Sequence, residues 1–243
     1  MLYQEMAPFQ IRKAIEENVP VVLSIGTLEY HSEHLPLGVD TMVVDGCLKR
    51  VEKRHPEMIL LPTFYYGVSS FAVKGPENGN GTVSIDSMNV CKLAEDLFSN
   101  LLETGFRNIH GFVYHQGENF FQGMPTDLAF RFAGRRAIFA FLERTRGRGW
   151  WGNAEMKNYY EDNNVFDWIR IHPVAAGVSE KYPGGHADIV ETSAIMDLHP
   201  HLVHMDHHNP ADWYAESALK ATAQYGKNYM DDMAGSVEKL LFG

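Results

Sequence analysis

Residues 20–25 read PVVLSI and run directly into residues 26–40, GTLEYHSEHLPLGVD. The first six form a continuous apolar, β-branched run of the kind found in strands covered on both faces. The next fifteen are polar and rich in carboxylate and imidazole. Upstream, Pro8 to Asn18 reads as a helix; downstream, Asp40 opens a segment with Met42, Val43, Cys47, Leu48 and Val51 at helical spacing. Met58 to Leu61 reads as a second strand. Ser87 to Thr104 places Val90, Leu93, Ala94, Leu97 and Leu101 on one helical face, with Gly105 suited to end it. Ile109 to Tyr114 reads as a third strand and Pro125 to Arg146 as a further helix.

This alternation predicts an α/β fold, a three-layer sandwich with a mainly parallel central sheet in a single domain, and a site at the carboxyl ends of the strands. Residues 147–185, rich in Gly, Asn, Asp and aromatics, read as a long functional loop or lid. The segment from Pro210 to Gly243 reads as two helices separated near Gly226.

With 243 residues, 45% of them hydrophobic, the chain can bury a substantial core. A formal charge of −10 argues against nucleic acid or an acidic membrane surface as partner and favours a small-molecule substrate. The N-terminal stretch has no signal-peptide character, and no apolar run approaches the roughly 20 residues a bilayer requires. A cytoplasmic protein is expected, with Cys47 and Cys91 as buried, reduced thiols.

Twelve histidines are the compositional oddity. Glu29 and His31 are two residues apart, so in extended backbone their side chains point to the same side. Asp40 returns from the loop at the start of a helix, and a carboxylate with two oxygens can bridge two cations. Mixed carboxylate and imidazole ligation suits zinc or manganese better than calcium. Taken singly, Asp40 is equally a helix cap and His34 a histidine packed on Pro36.

The string Glu29, His31, His34, Leu35, Pro36, Leu37, Gly38, Asp40 resembles the signature of the creatinine amidohydrolase (creatininase) family. That resemblance implies Glu29 as ligand of one metal, His31 of the other and Asp40 as the bridge, with His34 behind them. Ser32 and Glu33 depart from the family's usual pair. A second segment, YHQGENFF from Tyr114, is a weaker match to the family's NGHGGN, and two registers compete for the ligand position. His115 and Glu118 are preferred as ligands over Gln116, a poor partner for zinc. The alternative makes His115 a core histidine and Glu118 a helix N-terminal carboxylate.

A third segment, His186, Ala187, Glu191, Thr192 and Ser193, matches the family's HAG-then-ETS pattern, with Asp188 in place of the glycine. His186 is the expected proton shuttle, Glu118 the second catalytic residue, and Glu191 either a helix N-terminal carboxylate, a residue that holds a loop or an adjacent subunit, or a catalytic one. His199, His201, His204, His207 and His208 match no ligand spacing and are assigned to the surface or an interface.

The resemblance runs from about Pro20 to His201. It implies two divalent metal ions per chain, Zn or Mn, a homohexamer, and opening of a cyclic amide by metal-activated water. The bond opened is either C–N in a cyclic amide or C–C in a cyclic diketone from polyol or inositol breakdown. Glu33, Lys74, Glu77 and Asp188 favour a hydroxylated substrate; Trp150, Trp151 and Trp168 instead allow stacking on a planar ring, or belong to the core. A metal-assisted keto-sugar isomerase and a ligand-binding relative without catalysis are the alternatives.

Overall fold

In the computed structural model, which describes residues 1–115, 123–159, 161 and 164–243, four parallel strands form one sheet in the order β2-β1-β3-β4. Strand β1 spans Val21–Ile25, β2 Ile59–Leu60, β3 Ile109–Val113 and β4 Ile169–Pro173. The registers pair Val21 with both Ile59 and Ile109, and Ile109 with Ile169. Helices α1 (Pro8–Glu16), α3 (Ser87–Thr104) and α4 (Pro125–Arg146) cover one face, packing on Leu23, Ile25, Ile109, Val113 and Ile169. Helices α2 (Val39–Arg54), α5 (Ile189–Leu198) and α6 (Ala223–Phe242) cover the other, over Val22, Leu60 and Phe112. This is the three-layer α/β sandwich expected from the alternation of strand and helix. The run PVVLSI is apolar throughout because β1 is central and every residue from Val21 to Ile25 is buried.

Helix ends follow local chemistry. Asp86 caps α3 through Met88 and Asn89 N–H, and Gly105 closes it at φ 120°, a conformation costly for any residue with a Cβ. Asp188 caps α5 in the same way, its Oδ1 accepting from Val190 and Glu191 N–H, while its Oδ2 accepts from Gly185 N–H.

Two expectations are corrected. The stretch read as a lid contains β4, and its tryptophans belong to an aromatic cluster beside α4: Trp150 is buried against Phe139 and Phe166, and Trp168 lies edge-on to Phe141. Gly226 does not divide two helices. It lies inside α6, where a Cβ would stand 1.8 Å from Ser193 O of α5, so glycine is what lets the two helices touch. The preceding helical turn is a separate 3₁₀ segment, Trp213–Lys220. Cys47 and Cys91 are free and buried, as expected. Among the described residues, no helix is long and apolar enough to cross a membrane.

Candidate metal centre

The chain runs from β1 to β2 on one side and later to β3 on the other, so the strand order reverses between β1 and β3. A crevice opens there at the strands' carboxyl ends, the usual ligand position in open parallel sheets. The loop after β1 supplies Glu29 and His31, the first turn of α2 supplies Asp40, and the residues after β3 supply His115. All four are at least nine-tenths buried.

Asp40 lies between two imidazoles. Its Oδ2 is 3.1 Å from His115 Nδ1, and its Oδ1 is 3.6 Å from His31 Nε2. Thr27 Oγ1 donates to Oδ2 at 2.5 Å and fixes the carboxylate's rotation. Glu29 Oε1 joins His115 Nδ1 at 3.2 Å, and Glu191 Oε2 joins His31 Nε2 at 3.6 Å. Among the described residues three groups of donors lie close enough together to hold a cation, Glu29–Asp40–His115, His31–Asp40–Glu191 and Glu29–His31–His186, and the first two share Asp40.

These spacings suit cations. Ligands about 2.0–2.1 Å from a tetrahedral zinc are separated by about 3.3–3.4 Å, close to the distances found here. His31 supplies the independent test. Its Nδ1 donates to Glu29 O at 3.0 Å, which leaves the lone pair on Nε2 aimed at two carboxylates. That buried Nε2 has no hydrogen-bond partner among the described residues. Such an atom needs either a cation or a proton. The field has the right sign for both: burial opposes charge on His31 and His115, yet Glu191 and Asp40 for the first, and Asp40 and Glu29 for the second, hold each at about 10. Burial likewise opposes ionisation of Asp40, but His31 and His115 keep its carboxyl well below the usual carboxylate range. For Glu191, burial wins and pushes the carboxyl up to about 8.

His186 stacks on His31 with ring centroids 4.3 Å apart. Its Nε2 donates to Tyr30 O at 2.7 Å, leaving Nδ1 facing Glu29 Oε1 at 3.6 Å. Both histidines are flanked by strained backbone, since Ser32 and Ala187 have φ of 60° and 51°. A cavity of about 480 Å³ opens over the clusters, lined by Glu29, Asp40, His115, His186 and Glu191 together with Tyr114, Tyr182 and Tyr229.

The sequence-predicted residues Glu29, His31, Asp40, His115 and His186 thus come together. Glu118 and the competing Gln116 lie outside the described residues. His34 is buried behind the loop, its Nε2 2.9 Å from Thr192 Oγ1. Glu191 is the residue that sequence reasoning left undecided, and it also holds the loop before α5: its Oε2 accepts from Ala187 N–H at 2.6 Å. The ETS match was the signal that pointed to it. His201, His204 and His207 are exposed, and His199 and His208 half-buried.

Residues 4–241 match the family model described as Creatininase: Creatinine amidohydrolase. The chain belongs to the creatinine amidohydrolase family. A creatinine amidohydrolase from Pseudomonas putida is 26% identical over 202 residues, covering 79% of this chain and 70% of that one. Two solved creatininases share the fold over 100% of this chain: a manganese form (TM-score 0.72, 18% identity, 99% of that chain) and a variant of the Zn–Zn type (TM-score 0.71, 19% identity, 98% of that chain). Family membership makes this chain a metal-dependent amidohydrolase.

Proposed function

We propose that the chain opens a small cyclic amide at a binuclear centre in which Glu29, Asp40 and His115 hold one divalent cation and His31, Asp40 and Glu191 hold the other. The observation that carries this reading is the shared Asp40, whose two oxygens face two different imidazoles at 3.1 and 3.6 Å. Zinc or manganese suits these donors, and solved relatives of the fold are described with each metal. Two cations held here would activate a water and polarise the scissile carbonyl. The rest falls to the protein. His186, anchored to Tyr30 O, presents Nδ1 toward the cavity and accepts a proton there, then returns it to the departing amide nitrogen. Glu29 Oε1 lies close enough to orient that ring. Glu118 enters the proposal through the family resemblance as a further carboxylate ligand or base.

Cleavage of a C–C bond in a cyclic diketone is less well supported. Asp188 is spent on capping α5, and Lys74 donates to Tyr30 Oη at 2.7 Å beside Glu33, outside the cavity lining. A homohexamer belongs to the same proposal; Trp213, 83% exposed, and Leu219, 67% exposed, offer apolar surface for subunit contact.

The test is Asp40→Asn. Elemental analysis of the purified wild-type protein is expected to give close to two metals per chain, and of the variant at most one, with ring-opening activity lost. A variant that kept both metals and full activity would remove Asp40 from the bridge and the binuclear reading with it.

A further inference from the structure

The segment between α5 and α6 backs the loop that carries Glu29 and His31. His204 N–H donates to His34 O at 2.9 Å, and the ring of Tyr214 stands edge-on to His186 with centroids 5.3 Å apart. Asp212 lies between these two contacts in the chain. It is 8% exposed and directly precedes the 3₁₀ segment Trp213–Lys220, yet its side chain makes no capping hydrogen bond there. Its Oδ2 instead accepts from Ser32 Oγ at 2.8 Å, 180 residues away in sequence, and from the Tyr30 hydroxyl at 3.2 Å. Tyr30 shares that one O–H with Glu33 Oε1 at 2.7 Å, so the Ser32 bond is the firmer hold.

Tyr30 and Ser32 are the two chain neighbours of His31. Ser32 takes φ 60°, a left-handed conformation that a residue with a Cβ keeps only when its surroundings impose it. Tyr30 is pinned at its amide, where N–H donates to Thr82 Oγ1 at 3.0 Å, and its carbonyl receives His186 Nε2 at 2.7 Å. The Nδ1 bond of His31 runs to Glu29 O, inside the same loop, and so does not fix the loop itself. His31 Nε2 faces Asp40 and Glu191 only while the loop keeps its shape. A carboxylate as buried as Asp212 carries a desolvation cost, and the two hydroxyls are what it secures.

We propose that Asp212 is a positioning residue of the metal centre, a role that rests on the reading of His31 as a metal ligand. Through Ser32 it locks the left-handed turn beside His31 and keeps Nε2 aimed at Asp40 and Glu191. The Ser32 hydroxyl, a departure from the family's usual pair, is the handle it uses.

The zinc affinity of the purified protein, measured by chelator competition, tests this in Asp212→Ala, Asp212→Asn and Ser32→Ala, with melting temperature followed alongside. Loss of an outer hydrogen-bonding partner commonly costs about 10- to 100-fold in metal affinity, and the lower end is expected for Asp212→Ala and for Ser32→Ala. The double variant should lose no more than either single one, since both cut the same bond. Asp212→Asn keeps an acceptor oxygen for the Ser32 hydroxyl and should stay within about threefold of wild type. Asp86→Ala removes the cap of α3 and serves as control: it should lower the melting temperature and leave zinc affinity unchanged. Ser32→Ala carries the test should Asp212→Ala fail to fold. Wild-type affinity in the alanine variants of both partners, Asp212→Asn as weak as Asp212→Ala, or an equal loss in Asp86→Ala overturns the proposal. A wild-type chain without zinc affinity would instead overturn the metal-centre reading, and the proposal with it.

Discussion

His31 and His186 stack ring on ring, yet their surroundings drive them in opposite directions. Burial opposes charge on both. For His31 the carboxylates of Glu191 and Asp40 overcome it, whereas His186 stays lowered by burial and by His31 itself. His186 is therefore a neutral base near pH 7, with Nδ1 free because Nε2 is tied to Tyr30 O. His186→Ala should lower turnover by about 10²- to 10⁴-fold while elemental analysis stays at the wild-type value. Parallel loss of metal and activity would instead make it a ligand, consistent with the contact it also makes with Glu29. At this scale the family motif, not the local pattern, carried the reading. Glu29, His31 and Asp40 stand in its first string and His115 in its second, whereas singly Asp40 reads equally as a helix cap and His115 as a core histidine. Glu191 stayed undecided because a carboxylate in the first turn of a helix already has a sufficient local explanation.

At the scale of elements, α5 and α6 touch through Gly226, and the contact sets where Glu191 stands. Gly226→Ala would drive a Cβ into Ser193 O, two residues from Glu191. Overpacking of this kind costs about 1–3 kcal/mol or more, so the variant should melt several degrees lower and bind metal more weakly. An unchanged melting temperature would show that the helices separate freely. The limits of α3 and α4 were legible because caps and prolines stand at their ends. Strand β4 was not: Ile-Arg-Ile-His-Pro is short, lies at the sheet edge and alternates with charge. Its His172 holds a half-buried partnership with β3. His110 Nε2 donates to Asn108 Oδ1 at 2.7 Å, so His110 Nδ1 accepts from His172 Nε2 at 3.0 Å. Burial lowers His110 to about 3 and His172 to about 4. The native pair is neutral, while the unfolded chain takes up protons below about 6.5. The pair's contribution is whole above that pH and lost as the pH falls toward 3–4. Denaturant titrations at pH 7 and pH 4.5 should show a loss of stability roughly 1–3 kcal/mol smaller in His110→Gln than in wild type.

For the whole molecule, three buried carboxylates converge on one crevice in a chain that already carries a net charge of −10. Without cations the crowding is met by protons: His31 and His115 are held in their charged form, and burial pushes the Glu191 carboxyl up to about 8. Chelation should therefore lower the melting temperature, and Mn or Zn should restore it. At a thousandfold excess over Kd, one site contributes about 4 kcal/mol. A melting curve indifferent to chelator and metal would exclude tight binding at either cluster. The same topology bears on time as well as on energy. Asp40 and His115 stand 75 residues apart in the chain, and Glu191 arrives later still on another helix. A cation pair would find its full set of partners only after β1 and β3 have paired and α5 has docked. Metal would then leave the folding rate almost unchanged and slow unfolding. Its ions would serve as late-fitted rivets, extending the lifetime of the native state without hastening its formation.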